Sequence, residues 1–363
     1  MTLIFKLLTW LNARVPKKKD RIVLYANLGF RDNVKALYDF IIKKEINKNY
    51  QIICVSNDFM ELRRIPGVKY VGLYTGLYYF FTSKFFFYCF GKYPIKPNRN
   101  QVVVNLWHGI PLKKIGNIEK GNNKDYNFFN YLLVSSKKYE PIMSAAFKAK
   151  NNQLLRYGSP RNDQLFKVNK QNKYGKKVIW MPTYRDENVR RKSFIYSFTK
   201  GEWKSLNNLL HKLNIMVYFK PHPLEKQKFA FPDSMSNIHV ITDNILSGKK
   251  IDLYKLIGTM DAMLTDYSSV ALDFLLLNRP IGYIIDDFNS YKKDRGFISE
   301  DPKKMFIGTK IVSKNSLINF FQDVANDKDN WIKERVEANK VFNQYDSKGH
   351  NSEKILERVG IKF

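Results

Sequence analysis

The chain has 363 residues, 44% of them hydrophobic and 15% aromatic, and its 62 Lys plus Arg against 33 Asp plus Glu give a formal net charge of +29. That length is long for one ordinary domain and comfortable for two, and the apolar share excludes a disordered chain. The charge favours an anionic partner, whether nucleic acid, an anionic membrane or a phosphate-rich substrate, although a low-GC genome, which enriches Lys, Asn, Ile, Phe and Tyr, accounts for part of it.

The chain opens MTLIFKLLTWLNARVPKKKDR. Thr2, Lys6, Thr9 and Ala13 fall on one helical stripe; Leu3, Ile4, Phe5, Leu7, Leu8, Trp10 and Leu11 occupy the rest, and Lys17, Lys18, Lys19 and Arg21 follow. This segment, 1–20, lacks the basic opening and small-residue cleavage site of a secretory signal, and no apolar run is long enough to span a bilayer. Two readings fit it: an interfacial helix backed by a polybasic patch, or a helix docked on the protein's own core.

RIVLYANLGF then predicts a strand and DNVKALYDFIIKKEI a helix with Asp32 near its start. QIICVSND is a second strand. The aromatic stretch KYVGLYTGLYYFFTSKFFFYCFGKYPI reads as a helix followed by a strand, fit for a packed core or for a membrane interface. QVVVNLWHG, NYLLVSS and QLLRYGSP are further strands, with helical KKYEPIMSAAFKAK between the last two. Cys54 and Cys89 sit in apolar runs without metal-ligand spacing and read as buried thiols in a reducing compartment. This alternation over 21–168 predicts a parallel sheet flanked by helices.

KVNKQNKYGKK reads as a linker, after which the pattern restarts over 176–330. KKVIWMPTYRD, IMVYFKPHP, NIHVITDN, DAMLTDYSS and PIGYIIDD supply strands, and GEWKSLNNLLHKLN, DLYKLIGTM and SVALDFLLLN supply helices; 331–363 reads as a helical tail. Two α/β units joined by a linker predict a cleft between them.

Five chemically loaded loops follow predicted strands: WHGIPLKK, GSPRND, PTYRD, KPHP and TDYSS. In open parallel sheets ligands bind at the carboxyl ends of strands. The loop contents suit phosphate. Ser268 and Ser269 precede a helix, where they serve as simple caps or frame an anion site. Lys220 and His222 lie in a turn stiffened by proline, and Arg185 offers a bidentate phosphate ligand or a partner for a neighbouring acid. His108 is suited to taking a proton from an attacking hydroxyl. His211, His239 and His350 fall outside these loops and read as structural or surface residues. There is no dinucleotide fingerprint, no P-loop, no nucleophile elbow and no metal-ligand spacing, so neither metal nor cofactor is expected. The basic residues are dispersed and match no RRM, OB or helix-turn-helix pattern, so nucleic acid is not expected as a partner.

Taken in order, LWHGIPLKKIG, YGSPRND, MPTYRD, FKPHP, TDYSSVALDFLLLNRPI and RGF resemble the CDP-glycerol glycerophosphotransferase family, as does NLGFRDNVKALYDFI near the start. The resemblance covers nearly the whole chain. It implies a GT-B-like α/β fold, with two Rossmann-type domains whose parallel sheets face a central cleft. It implies peripheral attachment to the cytoplasmic face of the plasma membrane. The implied reaction transfers glycerol phosphate from CDP-glycerol, or another polyol phosphate such as ribitol phosphate from its CDP-polyol, to a lipid-linked teichoic acid or capsule acceptor, releasing CMP. A GT-B glycosyltransferase using a nucleotide sugar is the rival reading. By resemblance, His108 matches the family's base and His222 the histidine that meets the donor pyrophosphate. Arg185, Thr265, Asp266, Ser268 and Ser269 match donor-site positions; Gly109, Pro111 and Lys113 belong to the first loop, and Lys220 joins the donor side. The chain departs from the family where Ile110 replaces a usual Thr, and after RGF, where ISEDPKKMFIGTKIV replaces the polymerases' usual run.

Overall fold

The structure is a computed structural model that describes residues 3–168, 175–183, 193–222, 229, 231–232, 234–249 and 251–363. Helix α1 (Leu3–Arg14) comes first. Strands β1 (Lys18–Ala26), β2 (Gln51–Ser56), β3 (Val68–Val71), β4 (Ser83–Tyr88), β5 (Val102–Asn105), β6 (Tyr131–Val134) and β7 (Leu154–Arg156) then form one sheet in the order β3-β2-β1-β4-β5-β6-β7. Strands β8 (Lys176–Met181), β9 (Ile215–Phe219), β10 (Ile238–Val240), β11 (Ala262–Thr265), β12 (Ile281–Ile284) and β13 (Thr309–Ile311) form a second, in the order β10-β9-β8-β11-β12-β13. Every pairing in both sheets is parallel; Ile22 lies opposite Ile52 and Phe85, and Met263 opposite Ile179 and Ile281.

Parallel strands covered on both faces need continuous apolar runs rather than alternation. All four residues of β11 and all four of β12 are buried, and so are Ile52, Ile53, Cys54 and Val55 of β2. Helix α2 (Asp32–Lys43) buries Val34, Leu37 and Ile41 on one stripe against the first sheet, each worth about 2 kcal/mol by area. The aromatic stretch holds three elements where two were expected: β3, then α3 (Leu73–Thr82), then β4. Most of its rings are core, Phe80 and Phe85 through Tyr88 among them, whereas Tyr74 and Tyr78 of α3 face out. Strand β13 was not anticipated; it is only three residues long and sits at the sheet edge.

The chain forms two compact units. One comprises Met1–Gly109, Ile115–Gln164 and Val341–Phe363; the other comprises Ile110–Lys114 and Leu165–Lys340. The helical tail is therefore divided. Arg335 is buried in the second unit and paired with Asp329, while Ile355, Leu356, Val359 and Ile361 join the core of the first. In each sheet the strand order reverses once, between β1 and β4 and between β8 and β11. Such switch points open a crevice at the carboxyl ends of the strands.

Candidate active site

In the first unit β5 ends at Asn105, and the next three carbonyls leave the sheet ladder. Buried backbone groups need partners, and side chains from two distant segments supply them here. Asn33, fully buried at the start of α2, donates from Nδ2 to the Leu106 carbonyl at 3.2 Å and to the Trp107 carbonyl at 2.8 Å. Arg161 donates to the His108 carbonyl at 2.9 Å. The same guanidinium nitrogen meets the Asp32 carboxylate at 2.8 Å, and the Arg161 amide donates to Asn33 Oδ1 at 3.1 Å. Between these anchors the backbone is strained. Trp107 has φ +50° and Asp32 φ +61°, and Gly109, at φ +124°, occupies a region that side-chain-bearing residues rarely adopt.

This loop holds His108 half-buried between Trp107 and Phe90, with ring centroids 4.0 and 5.6 Å away. Its Nδ1 faces the Cys89 carbonyl at 3.4 Å. With a proton on Nδ1, the lone pair of Nε2 is left to act as acceptor. Burial pulls its pKa below the ordinary 6.5; nearby Asp32 opposes that shift and Arg161 adds to it. The imidazole is therefore neutral at neutral pH, the state a general base requires.

The GSPRND segment ties this loop to the returning C-terminal stretch. A Cβ on Gly158 would meet Asp346 Oδ2 at 2.2 Å, so only glycine fits there. Asn162 and Asn351 both donate to Asp346 Oδ2, at 3.2 and 3.0 Å. Asp163 accepts from the amides of Asn351 and Ser352, at 2.9 and 2.8 Å, and so caps the last helix (Asn351–Arg358).

In the second unit the loops after β8 and β11 meet at the switch point. Thr265 is fully buried and donates to the Met181 carbonyl at 2.6 Å. Asp266 is 1% exposed and its carboxylate accepts from Thr183, both from the amide (2.9 and 3.1 Å) and from Oγ1 (3.0 Å). These two residues thus shape the start of the PTYRD loop; Arg185 itself lies outside the described residues. Tyr267, also buried, donates to Asp287 at 2.8 Å and stacks on Tyr291 at 4.0 Å, with Phe297 of the RGF motif against it at 5.8 Å. Ser268 and Ser269 are half-buried before a helix of five residues, Val270–Phe274. The Ser269 side chain makes no capping bond, and Ser268 Oγ accepts from the Val270 amide at a long 3.5 Å, so side-chain capping is weak.

Lys220 follows β9 with its side chain 5% exposed and paired to Asp243 at 2.8 Å, and half-buried His222 lies two residues on. Half-buried Pro111 and Lys113 lie in the short run Ile110–Lys114 that packs with this unit. Ile298 donates its amide to the Leu112 carbonyl at 3.0 Å, and the Lys113 ammonium lies 5.2 Å from the Tyr291 ring centre. Among the described residues no group of three or more His, Cys, Asp or Glu is placed to hold a metal.

The structure thus gathers the expected residues into two sets. His108 and Gly109 lie past the carboxyl end of β5; Lys220 and His222 lie past that of β9, Thr265 ends β11, and Asp266, Ser268 and Ser269 follow it. Sequence reasoning assigned no role to Asn33, Arg161, Thr183 or Tyr267, and it read Asp32 only as a helix-start residue. The signal was there for Asn33 and Arg161 in two motifs, GFRDN and GSPRND, that carry polar residues with no surface periodicity.

The model of the CDP-Glycerol:Poly(glycerophosphate) glycerophosphotransferase family matches residues 7–360. The chain is 29% identical over 274 residues to the teichoic acid glycerol-phosphate primase of Bacillus subtilis (strain 168), a match covering 70% of this chain and 66% of the primase. It is 25% identical to the teichoic acid poly(glycerol phosphate) polymerase of Bacillus spizizenii, over 95% of this chain and 93% of the polymerase. A solved structure of the wall teichoic acid polymerase TagF superposes with a TM-score of 0.72 at 20% identity, covering 94% of this chain and 89% of that one. The S. aureus MnaA–UDP structure superposes with a TM-score of 0.52 at 12% identity, covering 94% and 96%. These two superpositions speak for the GT-B-like α/β fold. With the family model matched over nearly its whole length, the chain belongs to the CDP-glycerol:poly(glycerophosphate) glycerophosphotransferases, a family of transferases.

Proposed function

We propose that the protein transfers glycerol phosphate from CDP-glycerol to a hydroxyl of a membrane-linked surface-polymer acceptor, releasing CMP. The observation that carries the reading is His108: a neutral, half-buried imidazole at a strand end, in a chain matched to this family over 354 residues (7 to 360 inclusive). The acceptor oxygen forms a bond to the β-phosphorus while the bond from that phosphorus to the bridging oxygen of CMP breaks. His108 Nε2 takes the hydroxyl proton, and the bond's electrons leave on CMP. Little covalent chemistry falls to the protein, so positioning and charge stabilisation carry the rate. His222, Arg185, Lys220 and the backbone at Ser268–Ser269 serve the donor's phosphates, on a loop framework built by Thr265 and Asp266.

A ribitol-phosphate transfer has a specific observation in its favour. The teichoic acid ribitol-phosphate primase of B. spizizenii matches at 25% identity over 79% of this chain and 78% of its own. The donor class is thus a CDP-polyol, with glycerol first.

The site of action we infer is an anionic membrane surface on the cytoplasmic side. Helix α1 carries the support, because much of its apolar surface is left exposed. Its inward face is mixed: Phe5, Leu8 and Thr9 are half-buried, and Asn12 is fully buried and donates to the Lys96 carbonyl and to Gln101, while Asn98 donates to the Asn12 and Ala13 carbonyls. Apolar residues also face out, with Leu3 84% and Trp10 52% exposed and Ile4, Leu7 and Leu11 beside them. Lys6 and Arg14 of the helix are exposed, as are Lys18 and Lys19 soon after it, and such basic residues favour an interfacial helix on anionic lipid. Among the described residues no helix is long and apolar enough to cross a membrane.

Phosphorus NMR of the product made with CDP-glycerol and a lipid-linked acceptor tests the reaction. A new phosphodiester with stoichiometric CMP is expected. A glycoside formed from a nucleotide sugar, with no phosphodiester, would overturn it.

A further inference from the structure

We propose that Asp32 and Arg161 are positioning residues for His108: Arg161, held by Asp32, clamps the loop after β5 so that the ring presents its Nε2 edge. The inference rests on the reading of His108 as the base.

The geometry is that of a clamp. Asp32 and Arg161 are separated by 129 residues in sequence, yet one guanidinium nitrogen joins the Asp32 carboxylate to the carbonyl of His108 itself. Their side chains are 17% and 8% exposed, so water competes weakly for either. The clamp sits where the backbone most needs holding, with Trp107 and Gly109 on either side of His108 both at positive φ. A bulky residue such as Trp keeps that conformation only where its surroundings enforce it, and strained backbone concentrates at functional sites. Asn33 captures the two preceding carbonyls, so Leu106, Trp107 and His108 are each fixed by a side chain rather than by the sheet. Structural economy alone does not call for this. A strand can end in a solvated turn, whereas a base that must meet a substrate hydroxyl within a few tenths of an ångström cannot sit on one.

The clamp also carries opposed charges beside the ring. Asp32 favours the imidazolium and Arg161 disfavours it; Arg31, at the entry to α2 and over the Phe90 ring at 5.9 Å, is a further cation near that corner, and buried Cys89 presents its carbonyl. Both charges therefore act on the ring, and kcat measured beside the titration separates positioning from a purely structural pair.

The test compares Asp32→Asn, Arg161→Gln and Arg161→Lys in the full chain, with thermal melts to confirm folding. Asn keeps the shape of Asp and tolerates its left-handed backbone, so Asp32→Asn removes charge with little else. Two readouts are taken: the titration of the His108 ring by NMR, and kcat and donor KM with CDP-glycerol. We expect Asp32→Asn to lower the His108 pKa and Arg161→Gln to raise it. Both should lose about 10- to 100-fold in kcat with donor KM nearly unchanged. The double variant should be no worse than Arg161→Gln alone, because the two act through one contact. Arg161→Lys should restore the charge effect and only part of the rate. Folded variants whose His108 titration and kcat both match wild type would overturn the inference, as would a rise in KM alone. If His108→Ala itself kept full turnover, the base reading would fall instead, and the NMR result would still report whether the clamp governs the ring.

Discussion

The loops after β5 and β11 look alike in sequence, each a buried strand ending in a compact cluster of polar and turn residues, yet they spend those residues differently. After β5 the polar partners come from outside the loop, from Asn33 and Arg161, so the loop's own His108 is left half-buried with one ring edge uncommitted. After β11 the loop spends its own polar groups inward: Thr265 and Asp266 are buried and hold the neighbouring loop through Met181 and Thr183. A polar residue at a strand end is thus either the tool or the bracket, and burial together with bonding partners tells them apart. In the second unit Ser268, Ser269 and His222 are half-buried, unlike the fully enclosed Thr265 and Asp266.

Single substitutions test this contrast. The largest effect is expected at His108→Ala, which should cut turnover by ~10²–10⁴-fold while leaving donor binding largely intact. An equal loss of donor affinity, measured by calorimetry, would make it a binding residue instead. Asp266→Ala should act in the opposite sense. It removes the partner of the half-buried Thr183 amide and hydroxyl, costing about 1–2 kcal/mol of stability in chemical denaturation, and it should raise donor KM more than it lowers kcat. If Asp266→Ala folded with normal stability and lost kcat alone, the bracket assignment would fail.

A smaller effect concerns α1. Replacing Leu7 and Trp10 by Ser should weaken cosedimentation with anionic vesicles roughly tenfold without changing turnover on a soluble acceptor analogue, because both side chains project outward. Unchanged vesicle binding would mean that the exposed face has another occupant.

Two pH effects of opposite sign complete the set. Because burial holds His108 below 6.5, its neutral form is complete above that value. Turnover should fall as pH drops through the lowered pKa, while the group's share of stability is lost over the interval from 6.5 down to it. Asp346, nearly enclosed by Asn162, Asn351 and Gly158, is pushed up from 3.8 to about 6, so the folded state holds a proton that the unfolded chain releases. Its contribution should therefore favour folding increasingly as pH falls from about 6 to about 4, by up to ~3 kcal/mol. Urea midpoints at the two pH values, for wild type and Asp346→Asn, measure that difference; a variant with the wild-type dependence would reassign it.

Much of this architecture was legible in the sequence, for a physical reason. Strands of a doubly covered parallel sheet must be largely continuous apolar runs, as in VVV of β5, VIWM of β8 and AML of β11. The same reasoning failed where length or context removed the signal. Three-residue β13 has no period to read, and the aromatic run hid β3 because helix and strand share its composition. For α1 the periodicity showed two faces but not which one would be buried. Ordinary expectation puts the apolar face inward, as in α2, whereas Asn12 and Thr9 anchor α1 by hydrogen bonds instead. At the site, the loops were visible and His108 stood out. The partition of Thr265 and Asp266 into framework, and the 129-residue reach from Arg161 to Asp32, depend on tertiary contacts that no local pattern encodes.

Calorimetric titration of the purified chain with CDP-glycerol, CDP-ribitol and a panel of nucleotide sugars, repeated with His222→Ala, decides the donor class. Binding of a CDP-polyol, weakened in His222→Ala, is expected, with none of comparable strength for the sugars. Binding of a UDP-sugar with no response to either CDP-polyol would contradict the proposed reaction while leaving the fold and family as they stand.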